Sequence, residues 1–219
     1  MLYNIIMNKR SKVEIKGFFA KNYNLVLNLI SLGFYNKVIN SGINLMKLKK
    51  MDRVLDLGGG PGKNSYLILK RMNFKGDVVY VDVSDEMINQ AKKYEKKTNN
   101  YKIVKASIIG ELPFNEEFDH VFISFVFHGF ENYDKEKILK NVYKSLKSGG
   151  YLNILDWAEF DLSKANYFIK VFLNYLECEL ASEFIRLDLS EFVKPFGFKT
   201  IEESLIASNY IRLFIAQKI

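Results

Sequence analysis

The chain of 219 residues is 48% hydrophobic, which excludes a disordered chain, and its single cysteine, Cys178, excludes a disulfide framework or a thiolate metal cluster. No metal site is expected. A net charge of +7 raises the question of nucleic acid, but no RNA-binding module accompanies the lysines, and a solvated basic shell is the simpler reading.

The first segment, MLYNIIMNKRSK, lacks the long apolar core and small-residue cleavage site of a signal peptide. No apolar run approaches the roughly 20 residues that cross a bilayer, so a cytoplasmic location is expected. Two helical stretches, Lys16 to Ile30 and Tyr35 to Leu48, are separated by the break Ser31-Leu32-Gly33.

The most informative segment follows. Arg53–Leu57 reads as a buried parallel strand that ends in an acid, Asp56, and breaks into the turn Gly58-Gly59-Gly60-Pro61-Gly62. The segment from Lys63 to Met72 then reads as a helix. Glycines here remove side chains that would keep a ligand off the backbone, and a strand, glycine turn and helix N-terminus form a nucleotide-type site. A phosphate-cradling G-x-x-x-x-G-K-[ST] loop fails, because Leu57 and Asn64 stand at two required positions. A dinucleotide G-x-G-x-x-G fails at its third glycine, where Lys63 stands. The pattern acid-x-G-x-G-x-G is met by Asp56, Gly58, Gly60 and Gly62 without a miss.

The second strand, Val78–Val83, carries Asp82 at its tip, twenty residues after Gly62. A carboxylate at that place can accept from both hydroxyls of an adenosine ribose. Ser84 caps the next helix, with Asp85 and Glu86 in its first turn. Further strands read as Tyr101–Lys105, His120–Phe125 and Tyr151–Asp156, and Lys135 to Lys147 reads as a helix. Gly149 or Gly150 is placed to give that helix a left-handed C-cap. A helical stretch from Asp161 to about Glu183, interrupted at Ala181-Ser182, leads to a closing hairpin of Phe198–Ile206 and Tyr210–Lys218. Cys178 falls in that stretch and reads as a buried, inert thiol. The alternation of strand and helix predicts a doubly wound α/β fold.

The turn Asp56–Gly62 is the first motif of the class I S-adenosylmethionine-dependent methyltransferases, which this chain resembles. Gly110 to Trp157, with its Leu112-Pro113-Phe114 turn and Leu146-Lys147-Ser148-Gly149-Gly150 signature, follows the same pattern. Phe18 to Ile39 looks like the lid-forming start of the ubiquinone/menaquinone biosynthesis C-methyltransferases. After the fourth strand the chain departs from that subgroup: Ser124-Phe125-Val126-Phe127-His128-Gly129 replaces its arginine–asparagine region. No [DN]-P-P-[YF] stands there either, which disfavours DNA amino-methylation. The resemblance implies a Rossmann-like seven-stranded sheet with an antiparallel last strand, a helical lid over residues 1–48, and one compact methyltransferase domain over 49–219.

It also implies S-adenosylmethionine as cofactor. The glycine turn, Gly59 included, would take the methionine moiety, with Asp56 orienting its amino-acid part through water. Asp82 would bind ribose, Val83 and Met87 would pack on adenine, and Ser107, Ile108 and Ser124 would complete the cofactor's surroundings. Tyr23, in the lid, is the candidate for an aromatic face on the cationic sulfonium. His128, just past the fourth strand, is the candidate catalytic base, since imidazole titrates near neutral pH. His120, at the start of the same strand, reads as structural. Asp156 and Trp157 would finish a pocket made apolar by Phe127 and Phe130. The expected activity is methyl transfer to a small aromatic or lipid-like acceptor, with a quinol precursor among the candidates. N- or O-methylation of another metabolite, or a cofactor-binding module without catalysis, stays open. A peripheral membrane contact and a homo-oligomer also stay open.

Overall fold

The computed structural model describes residues 34–171, 173 and 179–219. Helix α1 (Phe34–Leu45) buries Val38, Ile39 and Ile43 at helical spacing and packs on α2 (Lys63–Arg71). Gly42 of α1 lies so close to the sheet that a Cβ there would sit 2.7 Å from the Leu155 side chain. This part of the expected lid therefore joins the main core. Residues 1–33 of the lid, Tyr23 among them, and Cys178 lie outside the described residues.

Strands β1 (Arg53–Leu57), β2 (Asp77–Asp82), β3 (Tyr101–Lys105), β4 (Phe118–Ser124) and β5 (Leu146–Trp157) pair in parallel. Strands β6 (Phe198–Ile206) and β7 (Ile211–Lys218) complete a seven-stranded sheet of order β3-β2-β1-β4-β5-β7-β6. Strand β7 pairs antiparallel with both its neighbours, so it alone runs against the rest. The apolar runs of β1, β2 and β4 are buried almost throughout, as strands covered on both faces must be.

From β1 the chain steps outward through α2 to β2 and through α3 (Asp85–Glu95) to β3; from β4 it steps the opposite way through α4 (Asn132–Ser145) to β5. Right-handed crossovers in opposite directions put their helices on opposite faces. The reversal falls between β1 and β4, where a crevice opens beyond the strand ends. Expected and observed strands agree to within a few residues, except that β5 begins five residues early, at Leu146.

Two local expectations are corrected. Helix α4 ends at Ser145 and runs straight into β5 through an extended Leu146; Gly149 is left-handed (φ 73) but lies inside that strand, where its carbonyl accepts from Gln217. The stretch after Asp161 breaks at Ala165-Asn166 rather than at Ala181-Ser182. Asp161 caps a 3-10 turn (Leu162–Lys164), and the Asn166 side chain accepts the Ile169 N–H at the start of α5 (Tyr167–Val171). Helix α6 (Glu179–Phe184) passes through Ala181 and Ser182 unbroken, and a short α7 (Leu189–Val193) follows.

Candidate functional site

Three of the four glycines in the turn after β1 have left-handed backbones: Gly58 (φ 70), Gly60 (φ 55) and Gly62 (φ 78). Their surroundings divide them. A Cβ on Gly59 would strike the Tyr80 ring at 2.3 Å, and one on Gly62 would meet the Tyr101 hydroxyl at 2.5 Å and the Ala91 Cβ at 2.7 Å. Those two are bare because helix, strand and ring must pack closely. A Cβ on Gly60 would meet nothing within 4 Å, so that residue borders open space. Gly58 abuts Val126, whose Cγ2 would lie 2.9 Å from an added Cβ.

The turn is fastened to β2 by backbone and carboxylate. Gly58 and Gly59 N–H donate to the Val81 carbonyl at 2.8 and 3.1 Å. Gly60 N–H donates to Asp82 Oδ2 at 2.9 Å, Ser84 N–H donates to Oδ1 at 2.9 Å, and the Tyr80 hydroxyl donates to the Gly60 carbonyl at 2.6 Å. Burial pushes the Asp82 carboxyl up, against the pull of these backbone donors. Just beyond it, Val83 is 42% exposed while Met87, in the first turn of α3, is buried. Ser84 caps α3 through its hydroxyl, as its position before Asp85 and Glu86 predicts.

Asp56 has no exposed surface. The Ser65 hydroxyl donates to its Oδ2, while Oδ1 has no hydrogen-bond partner. Burial, with a contribution from Asp82, pushes this carboxyl up to about 7. A buried acceptor without a donor is costly unless a ligand supplies one.

At the end of β4, Ser124 Oγ accepts from Asn64 Nδ2 at 3.0 Å, and Asn64 also bonds Tyr35. Burial pushes the Tyr35 phenol up to about 12. Ser107 and Ile108 sit in the loop after β3, Ile108 buried and its carbonyl held by Asn141 at 2.9 Å. A 3-10 turn (Phe127–Gly129) then carries His128, 6% exposed, against the tip of β5. His128 Nδ1 lies 2.7 Å from Asp156 Oδ1, and its backbone N–H donates to Oδ2 at 3.1 Å. The Phe184 ring of α6 packs on both Phe127 and His128, at centroid distances of 6.2 and 6.3 Å.

His120 lies at the other end of β4, buried, 3.1 Å from Asp52 and stacked on Tyr151. Burial holds its imidazole below the usual range. Gly60, Asp82 and exposed Val83 thus stand at the ends of β1 and β2, and the buried His128 turn follows β4 on the other side of the switch point. Ser65, Asn64, Tyr35 and Phe184 gave no sequence signal, because each acts through a contact that only the fold creates. Among the described residues, no three His, Cys, Asp or Glu side chains are grouped to hold a metal ion.

Residues 54–150 match the family model for a methyltransferase domain. The chain is also 33% identical over 152 residues to the ubiquinone/menaquinone biosynthesis C-methyltransferase of Xanthomonas campestris pv. campestris, covering 67% of this chain and 58% of the relative. The chain belongs to the class I S-adenosylmethionine-dependent methyltransferases. The corresponding enzyme of Neisseria meningitidis serogroup C is 31% identical over 155 residues, covering 69% of this chain and 62% of that one. The chain thus spans about three fifths of the length of these curated relatives. Among solved structures, a methyltransferase from Haloferax volcanii in complex with the Trm112 methyltransferase activator has a TM-score of 0.71 at 14% identity, over 94% of this chain and 99% of that one. An S-adenosylmethionine-dependent methyltransferase from Aquifex aeolicus gives 0.60 at 22% identity, over 84% and 89%. These neighbours share the fold.

The residues present fit the methyltransferase cofactor, S-adenosylmethionine. Gly60 leaves open space, Asp82 offers a carboxylate beside it, and the orphaned Asp56 oxygen lacks a donor. None of the described helices is long and apolar enough to cross a membrane.

Proposed function

We propose that this methyltransferase transfers the methyl group of S-adenosylmethionine to a small aromatic or lipid-like acceptor bound beside the His128 turn. One observation carries the reading: Val126 packs directly on Gly58, so the turn that would hold the cofactor and the turn that carries His128 form one continuous wall. When bound, S-adenosylmethionine supplies an electrophilic methyl on a sulfonium that departs as a neutral thioether.

The chain's own residues do the rest. Gly58, Gly60 and Asp56 would receive the methionine end, Asp82 the ribose hydroxyls, and exposed Val83 with Met87 the adenine. Gly59 and Gly62 let the turn adopt its close packing, while Ser107, Ile108 and Ser124 would complete the cofactor's surroundings. Phe127 is buried and Phe130 half-buried, which suits an acceptor with little polarity and keeps water from the methyl. His128 would take the proton of an acidic hydroxyl on the acceptor as its oxygen or ring carbon becomes nucleophilic. Quinol precursors are the first class to try, since the relatives are ubiquinone/menaquinone biosynthesis C-methyltransferases. A single methyltransferase domain over 49–219, located in the cytoplasm, belongs to this same reading.

Calorimetric titration with S-adenosylmethionine and S-adenosylhomocysteine, with NADH as control, tests the cofactor half. Micromolar binding of the first two supports it, and binding of NADH alone overturns it. An acceptor screen beginning with demethylated quinols tests the other half.

A further inference from the structure

We propose that Asp156 is a positioning residue that fixes the tautomer of His128, so that Nε2 is the nitrogen presented for proton transfer. The inference rests on the proposed role of His128 as base and adds a residue, a nitrogen and a proton position to it.

The hydrogen-bond pattern decides which nitrogen carries the proton. Asp156 is fully buried at the tip of β5. Its Oδ1 accepts the Trp157 N–H at 2.8 Å and its Oδ2 accepts the His128 backbone N–H at 3.1 Å. Backbone amides only donate, so both oxygens are already acceptors. The remaining contact is the 2.7 Å approach of His128 Nδ1 to Oδ1. With Oδ1 already accepting a backbone N–H and Oδ2 another, the hydrogen of that contact belongs on Nδ1. Nε2 then holds the lone pair in neutral imidazole.

The same residue grips the His128 backbone and ring together: one oxygen anchors the main chain of the turn, and the ring cannot rotate without breaking its Nδ1 hydrogen bond to the other. That double hold is what a positioning residue needs and what solvent-side pairing would not give. When Nε2 accepts the acceptor's O–H proton, the O–H electron pair stays on oxygen. The resulting imidazolium is then balanced by the Asp156 charge 2.7 Å away, and Nε2 returns the proton to water. Other charges bear on this group from neighbouring elements. Lys135 of α4 and Arg212 of β7 each lie 5.6 Å from the Phe184 ring that packs on His128, and Glu203 of β6 pairs with Arg212 at 3.3 Å. Arg212 also faces Asp156 directly across the β5–β7 register.

The test needs no variant at its first stage. Nitrogen NMR of histidine-labelled protein, above the pH at which His128 titrates, reads the tautomer directly. Protonated Nδ1 is expected, and a protonated Nε2 would sink the proposal even if the protein methylates an acceptor well. The second stage compares Asp156→Asn, His128→Ala and the double variant. Asp156→Asn should lower kcat by about 100-fold or more and displace the pH profile, while cofactor binding by calorimetry is unchanged. In the His128→Ala background it should cost little further, because the two act as one unit. An undiminished further loss would assign Asp156 a role apart from His128 and overturn the inference. Absent cofactor binding in the unaltered protein would instead count against the proposed function, leaving the tautomer result standing. Should Asp156→Asn fail to fold, the NMR result decides alone.

Discussion

The Gly60 N–H donates to the Asp82 carboxylate at 2.9 Å, so the most open residue of the glycine turn is tethered to the acid at the tip of β2. One carboxylate thereby shapes the turn through Oδ2 and the start of α3 through Oδ1, and in the proposed reading its remaining lone pairs would serve ribose. Asp82→Ala is expected to weaken S-adenosylmethionine binding by roughly 10- to 100-fold, the range for losing a charge-assisted hydrogen bond. Calorimetry checks this, and an unchanged Kd would remove Asp82 from the cofactor site.

Gly60 and Gly62 share left-handed backbones but not surroundings, and alanine separates them. Gly62→Ala drives a methyl onto Ala91 and Tyr101 at a φ of 78, and should destabilise the protein by more than about 2 kcal/mol. Gly60→Ala adds a methyl to open space and should cost only about 1 kcal/mol from its backbone. That methyl should nonetheless lower cofactor affinity. Thermal melts with and without cofactor distinguish the two, and equal melting losses would contradict the division of labour.

The buried Asp56 carboxyl imposes a pH dependence whose sign follows from its direction of shift. Its pKa rises from 3.8 to about 7 on folding. Below the unfolded value both states hold the proton and the stability contribution is complete; it is lost as pH climbs through the folded value. Relative to Asp56→Asn, the cofactor-free protein should therefore melt several degrees lower at pH 8 than at pH 5. Melting curves that keep the same spacing at both pH values would show that Asp56 does not titrate this way.

His128→Ala should lower turnover by about 100-fold or more with the true acceptor while leaving the cofactor Kd near its original value. Steady-state kinetics and calorimetry on the same preparation check it. Full turnover in the variant would take the imidazole out of the chemistry.

Phe184 is 1% exposed and packs on Phe127 and His128, so Phe184→Ala should cost about 3–5 kcal/mol of stability. Chemical denaturation measures it. A loss below about 1 kcal/mol would mean that α6 contributes little to the packing of the His128 turn.

The sheet was legible because its signals are local. Val54 and Leu55 before Asp56, or Val78 to Val81 before Asp82, announce buried strands by composition, and Ser84 announces a helix start by one hydroxyl. The glycine turn was legible for the same reason, although its sequence did not reveal that Gly62 answers to Tyr101 and Gly60 to open space. The His128–Asp156 contact spans 28 residues and two strands, and no spacing rule encodes it. The end of α4 was misplaced because Gly149 carries the left-handed backbone expected of a cap, yet Leu146 already extends into β5.

The antiparallel strand between β5 and β6 also orders how the molecule can be made. A nascent chain that has emerged through β4 already contains Asp56, the glycine turn and Asp82. Asp156 arrives only with β5, and the β7 residue facing it, Arg212, appears later still. Segments of a domain made early can begin to organise before the rest is translated. The residues proposed for the cofactor are thus synthesised ahead of the β5–β7 seam of the sheet. A premature stop within β7 would leave β5 with an open edge and β6 without a partner, while sparing every residue of the glycine turn.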